Sequence, residues 1–492
     1  MSAEQPGIPE TEGGPKIGAD EWVARSDERS VARGGLAGKA ERVVFAVPAQ
    51  ARLAVVVALA IVFPLVTTSD NIRVGFDTLL LVLLAMGLNV AVGWGGLLDL
   101  GYYAFYGFGA YAYAWIASNQ FTHGGIHLPT VVAVIVVVAG TALLGLLVGL
   151  PSRRLAGDYL AIVTLFFGEI FFTLVTNGNN VAGINWTNGA NGIAGIDGFN
   201  VYGRSGPTLP SSDVRGYFYV ALGAALFVLF VLNRVNQSRT GRAWRSLRED
   251  SLAAETMGMP VNWLKLMAFS FGAAVAGFAG TIFAALNTGV FPQNFSVPLL
   301  ITVYAMVILG GTGSMTGVIM GAVLINFLLD RLQYADWARG LFYGLIVLGL
   351  VAVLRPWRRL ALVLGGTAAL GFAVWGVVHG ISATTTGSAL QGSGGFTRAI
   401  AHWVVVPPNL NGDWKGFIYV GLIVALLALT MAKGWKRDAL LVPTLYLGAL
   451  AWENVMSLKP EATRFILLGA ILVSMMVFRP EGILGKKRVE II

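Results

Sequence analysis

One acidic residue stands alone in a long apolar run: Glu169, in LAIVTLFFGEIFFTLV, residues 160–175. A carboxylate at such a depth is costly and usually faces a cavity or a partner. Three kinds of chemistry are open to it: lining the path of a polar solute, pairing with an arginine of this or another chain, or carrying a proton. A second candidate is RSLREDSLAAETMG, residues 245–258. Residues 242–255 hold six charges: Arg242, Arg245, Arg248, Glu249, Asp250 and Glu255. At roughly 2.5–3.5 kcal/mol each, burying them at mid-bilayer would cost about 15–20 kcal/mol, so the segment is not a span. Ser246 and Glu249 have capping-box spacing, and Asp250 is an alternative N-cap. Gly258 suits the left-handed residue after a helix, with Pro260 two residues on. Ala253 and Ala254 offer a small-residue surface and Met257 an adaptable apolar contact. The segment reads either as a solvated connector or as a short docking helix.

Other chemistries find little support. With no cysteine, disulfides, thiolate metal sites and cysteine nucleophiles are excluded. His123 and His127 are four apart, but HGGIH is a poor helix, and no metal site is expected there. RGGLAGKA, residues 33–40, has Arg33 in place of the first glycine and Ala40 in place of Ser/Thr, so it is no phosphate loop. No Ser/His/Asp set is readable, and no basic and aromatic array suggests nucleic acid.

The elements that must position these residues are membrane helices. The chain is 56% hydrophobic and 12% charged, against about 25% charged in soluble domains. Its apolar runs are continuous rather than alternating, which excludes barrel strands. About fourteen helices are expected, near 51–68, 75–94, 101–118, 129–150, 158–176, 215–232, 263–287, 297–310, 315–333, 340–354, 361–380, 417–433, 439–454 and 463–478. The fold class is all-α and polytopic, with a broken or re-entrant element near 86–110. Residues 1–50 lack an apolar signal region and read as a disordered cytoplasmic tail. With that tail inside, the alternating loops that fall inside hold Arg153 and Arg154; Arg234, Arg239, Arg242, Arg245 and Arg248; Arg355, Arg358 and Arg359; Lys433, Lys436 and Arg437; and the terminal GKKR. The long outer loop 177–214 has only Arg204, as the positive-inside rule requires. Both termini are then cytoplasmic.

Several segments together resemble the branched-chain amino acid permease family of LivM type. EDSLAAETMG resembles the coupling loop of ABC importer permeases, loosely at the Glu position. MGLNVAVGWGGLLDLGYYAFYGFGAYAYA (86–114) resembles the first family signature, an Asn in a helix followed by a Gly-rich break. Asp99 and Tyr102 depart from that pattern, which has a small polar residue and often a His. GDYLAIVTLFFGEIFFTLVTN with NGANGIAGI resembles a second signature; its Asn191-Gly192 turn lies in the outer loop. WLKLMAFSFGAAVAGFAGTIFAALN carries Gly272, Ala276, Gly280 and Ala284, a ladder suited to helix packing. YAMVILGGTGSMTGVIMGAVLIN carries a GGxGS turn at Gly310, Gly311 and Gly313. Residues 341–356 and 465–480 both end an apolar run in Arg-Pro, which points to roughly 110 extra residues near 355–462 with about three further spans. The resemblance therefore covers about 51–354, the permease core, and 463–485, within a final helix and basic cytoplasmic tail at 463–492.

The resemblance implies an inner-membrane permease subunit of an ABC importer and no enzyme activity. It implies coupling to the ATPase through Arg248, Glu249, Asp250, Ala253, Ala254, Glu255 and Gly258. It implies a translocation pathway at Asn89, Gly93, Gly95, Gly96, Tyr102, Phe105, Thr164 and Glu169. No cofactor is expected on this chain, ATP being bound by partner subunits. The expected partners are a second permease, two ATP-binding subunits, an extracytoplasmic binding protein and the lipid bilayer, with no nucleic acid. The cargo is a branched-chain amino acid or a related small polar solute. Two other readings stay open: a proton-driven transporter using Glu169, and a membrane enzyme using outer His or Asp residues.

Overall fold

The computed structural model describes residues 49–120, 127–153, 158–181, 183–200, 209–354, 357–381, 394–406, 414–456, 460–478 and 482–484. Residues 1–48, His123, Arg154, Arg204, both Arg-Pro pairs and the terminal GKKR lie outside these. Each of the fourteen expected segments coincides with a helix. Among the described residues, eight helices are long and apolar enough to cross a membrane, and three shorter apolar ones accompany them.

Helix α1 (Ala49–Val66) is apolar from Leu53 onward and belongs to a separate unit. The other unit begins with α2 (Ser69–Leu88), which passes into a π-helical turn, Asn89–Trp94. Then come α3 (Tyr102–Ala117), α4 (Thr130–Gly149), α5 (Asp158–Asn177), strand β1 (Ile193–Ala194) and α6 (Val214–Gln237). Two short helices, α7 (Arg239–Glu249) and α8 (Ser251–Thr256), lead into α9 (Val261–Asn287) and β2 (Gly289–Val290). Next are α10 (Val297–Gly310), α11 (Met315–Leu332) and α12 (Ala335–Val353). The remainder is α13 (Trp357–Ile381), α14 (Gly395–Ala401), α15 (Trp414–Met431), α16 (Trp435–Met456) and α17 (Pro460–Phe478).

Helix α9 is the axis of the bundle and packs on α2, α3, α4 and α6. Its small-residue ladder is packing surface: Gly272 faces the Gly87 carbonyl of α2, and Gly280 faces Tyr106 and Ala110 of α3. Lipid tails are as apolar as leucine, so helices here gain from close backbone approach rather than from apolar burial. Local signals set the helix starts. Asp213, Ser238, Asp250 and Ser314 each accept a backbone N–H of the first turn that follows, of α6, α7, α8 and α11 respectively.

The bundle has two distinct ends. One carries α7, α8 and the loops at 95–101 and 311–314. The other carries β1 and β2, paired antiparallel with Ile193 opposite Val290. Helix α16 is joined to α11, α12 and α17 by a core of Leu332, Ala338, Trp452 and Leu467. Phe342 of α12 stacks on Trp452 of α16, ring centres 4.1 Å apart.

Candidate functional site

The Gly-rich break forms where the sequence places it. The Gly95 N–H donates to Val90 O and the Leu97 N–H to Ala91 O, both at 3.0 Å, so the helix widens before it stops. Such π turns concentrate at functional positions. Residues 95–101 then run without helix until α3 restarts.

Three stretches far apart in sequence meet at this break. The Gly313 N–H donates to Asn89 Oδ1 at 2.8 Å, and Trp94 Nε1 donates to Gly313 O at 3.1 Å. The peptide at Gly313, in the GGTGS turn, is thus gripped on both faces by the π turn. Arg248, the last basic residue of α7, closes the knot. Its Nη1 donates to Gly93 O, and its Nη2 donates to Thr312 Oγ1 at 3.0 Å. Gly313 has φ +88°, and a Cβ there would lie 2.5 Å from Arg248 Nη1, so only glycine fits. Trp94 stacks on the buried Trp244 of α7, ring centres 6.2 Å apart. Trp244 Nε1 donates to Leu264 O of α9 at 2.8 Å. The Ile483 and Leu484 N–H groups donate to Leu309 O and Gly310 O, at 2.8 and 3.1 Å, satisfying carbonyls at the end of α10.

Helix α8 follows directly. Asp250 Oδ1 accepts the Leu252 and Ala253 N–H groups at 2.8 and 3.0 Å. The alternative cap is therefore the real one, while Ser246 lies inside α7 and forms no capping box. The end is a Schellman motif: the Met259 N–H donates to Ala254 O and the Gly258 N–H to Glu255 O, with Gly258 at φ +78°.

Two residues of the coupling set face the bundle. Ala254 is buried against it. Arg248 turns inward to the two helix breaks rather than outward. The exposed face of α7 and α8 carries Glu249, Leu252, Ala253, Glu255 and Met257, with Leu252 70% and Met257 80% exposed. The sequence reading missed Leu252; an apolar residue beside the cap of a six-residue polar helix was the signal for it.

The pathway set divides as well. Asn89, Tyr102, Phe105 and Thr164 are fully buried among elements of this chain and line no open path within it. Their polar groups tie the broken element in place. Thr164 Oγ1 accepts the Leu100 N–H at 2.9 Å, and Tyr102 donates to Gly272 O at 3.3 Å. Asp99 is buried too; Tyr304 Oη accepts its N–H and donates to its carbonyl. Gly93 and Gly95 are buried, and Gly96 is exposed beside Arg248. Glu169 is exposed on α5, on a face with Ile162, Phe166, Ile170 and Leu174. Tyr103 donates to its Oε1 at 3.0 Å, and no arginine or lysine among the described residues forms an ion pair with it.

At the opposite end, His127 stands 2.6 Å from an Asp197 carboxylate oxygen and 2.8 Å from Asn119 Oδ1. The ring thus sits between these two oxygens. In the NGANG stretch, Asn188 takes the left-handed conformation, and Asn191 ends a short 3₁₀ turn before Gly192.

An all-α bundle of apolar helices, with a polar helix pair wired to two interrupted spans, defines a membrane transport subunit. The chain belongs to the family described as branched-chain amino acid transport system permease component, which matches residues 71–354. It is thus an ABC transporter permease subunit and a multi-pass membrane protein. It is 36% identical to the high-affinity branched-chain amino acid transport system permease protein LivM of Escherichia coli K12, over 62% of this chain and 73% of that protein. The probable LivM of Methanocaldococcus jannaschii is 27% identical, over 44% of this chain and 61% of that protein. The autoinducer 2 import system permease protein LsrC of Enterobacter sp. strain 638 is 28% identical, over 27% of this chain and 41% of that protein. No solved structure matches.

Proposed function

We propose that this chain is one of two unlike permeases of an ABC importer for branched-chain amino acids or related small polar solutes in a bacterial inner membrane. Two ATP-binding subunits drive it, and an extracytoplasmic binding protein delivers the cargo. The observation that carries the reading is the Arg248 knot. It links the polar helix pair α7–α8 to the ends of α2 and α10 through hydrogen bonds to Gly93 and Thr312. When the ATP-binding subunits close, they push α8, and Arg248 passes the shift to both interrupted helices. The end with α8 is cytoplasmic, in line with its five arginines at 234–248. Purification of the tagged chain from native membranes in mild detergent tests the assembly. ATP-binding subunits and a second permease should come with it; a chain recovered alone under every detergent would overturn the proposal.

The exposed tips of α8 are the contact with the ATPase. Met257→Glu and Leu252→Glu should each reduce ATP-driven uptake by about tenfold, the effect of losing roughly 1.4 kcal/mol of docking. Membrane insertion should stay normal by immunoblot, and unchanged uptake by both variants would remove this contact.

Glu169 faces the second permease across the translocation pathway. In lipid it would cost roughly 2.5–3.5 kcal/mol, and Tyr103 is the one hydrogen-bond partner it has among the described residues. Glu169→Gln keeps that hydrogen bond and should leave assembly intact while slowing uptake. A drop in thermal stability with unchanged uptake would make Glu169 a structural group instead.

A further inference from the structure

At the end of the bundle opposite α8, a cleft of about 360 Å³ opens between α2, α10, α11 and α17. That lies within the ~300–1,000 Å³ of sites for small molecules. Its wall is mixed in charge: Asp77 from α2, Asp330 from α11 and Arg464 from α17 all line it, with Asn326, Leu299 and Phe465 among the rest. Asp77 lies eight residues beyond Ser69, about 12 Å along the helix. Charges at that depth are expensive against lipid tails, so the cleft is a wet recess.

The charged groups have capacity to spare. Asp77 has Arg73 beside it at 3.5 Å, while Asp330 has Arg331 at 3.6 Å and accepts Gln333 Nε2 at 2.7 Å. These neighbours leave most of the roughly four acceptor positions of Asp77, and about half of those of Asp330, open. Arg464 Nε is buried and has no hydrogen-bond partner among the described residues. An orphaned guanidinium N–H in a protein-lined recess is a costly feature unless something fills it. Asn326 is held rigid, its amide donating to Thr78 Oγ1 at 2.7 Å.

We infer that this cleft binds a small zwitterion, a free amino acid, on its way into the membrane. The α-carboxylate pairs with Arg464, whose planar fork suits two carboxylate oxygens. The α-ammonium lies toward Asp77 and Asp330, and an aliphatic side chain rests on Leu299 and Phe465. The inference rests on the import reading and adds a site and a ligand chemistry to it. A phosphatidylethanolamine headgroup shares this ammonium-and-acid chemistry, and the test separates the two.

The absence of cysteine makes Leu299→Cys a unique label in the full chain. The chain is placed in nanodiscs of phosphatidylglycerol, and its modification by methyl methanethiosulfonate is timed by mass spectrometry. Leucine at twice its dissociation constant should slow the reaction about threefold. 4-Methylpentanoate, lacking the ammonium, and 3-methylbutylamine, lacking the carboxylate, should not. Arg464→Gln and Asp330→Asn, each added to the label, should abolish the protection. No protection at any soluble leucine concentration, or equal protection by the amine, overturns the inference. Slow labelling in phosphatidylethanolamine discs without leucine effect assigns the cleft to lipid and also overturns it. Uptake by cells carrying the same variants is scored separately. Leucine import unaffected by deletion of the chain would refute the import reading, whereas lost protection with intact import refutes the cleft alone.

Discussion

Arg248→Leu should lower ATP-driven uptake by about tenfold or more while the chain still inserts. Hydrogen bonds from a charged donor contribute roughly 1.5–3 kcal/mol each, and Arg248 makes such bonds to both Gly93 and Thr312. Loss of one such bond is enough to uncouple α7 from the two interrupted helices about tenfold. Leucine fills the volume but leaves the Gly93 carbonyl without its donor. Arg248→Lys is the sharper variant. It keeps the charge, but a single ammonium cannot reproduce the guanidinium fork that reaches both loops. Its uptake should fall between wild type and Arg248→Leu. Arg242→Gln, an exposed change on the same helix whose partner is Gln237 O, should stay close to wild type. ATP hydrolysis by the assembled complex should persist in Arg248→Leu, since the docking tips Leu252 and Met257 are untouched. Hydrolysis without transport is the signature of a broken link. Full uptake by Arg248→Leu would show that the knot only holds the fold.

The helices were legible because apolar length is a local property of the sequence, and every expected segment is found as helix. The break at Gly93–Gly96 was legible for the same reason: glycines clustered in an apolar run announce it. What each site residue touches was not legible. Asn89 reads as a polar residue in a membrane helix and hence as a pathway group, but its carboxamide serves a backbone N–H 224 residues away. Thr164 likewise serves the Leu100 N–H. A sequence fixes the need of a buried polar group for a partner, and only the packing chooses between a solute and the chain itself. The inward face of Ala254 was hidden by the same gap. Helix α8 has six residues, too few for a hydrophobic period to show which face turns inward. The choice between Ser246 and Asp250 as cap depended on whether α7 and α8 are one helix or two, and the kink at Asp250 decides it. The residues beyond 354 gave no functional signal, because the buried Arg339–Glu453 pair that reaches them joins residues 114 apart.

That pair carries the second large expectation. Arg339 of α12 and Glu453 of α16 are both fully buried, with Nε 2.9 Å from Oε2. Tyr343 donates to the other carboxylate oxygen at 3.2 Å, and Arg339 Nη1 donates to Thr397 Oγ1 of α14 at 2.7 Å. One partner lies within the family-matched region, 71–354, and the other beyond it. Removing either one breaks a buried pair, at a cost of roughly 3–5 kcal/mol, and the cost is smaller for loss of Glu453, because Arg339 keeps Asp336 at 3.6 Å. Arg339→Met and Glu453→Leu should each lower the denaturation midpoint of the purified full chain markedly. The double variant should be more stable than either single one, since two apolar side chains need no charged partner. Additive losses would mean that the two groups do not see each other in the folded chain. The consequence reaches beyond stability. Helix α17 follows α16 in sequence and packs through Leu467 against the core that contains Trp452. It also brings Arg464 into the outer cleft. If the pair fixes α16 against α12, a single variant should also weaken leucine protection of Leu299→Cys, and the double variant should restore it. Restored stability without restored protection would separate the two roles: the pair would hold α16 on the core, while α17 finds its place by its own contacts with α10 and α11.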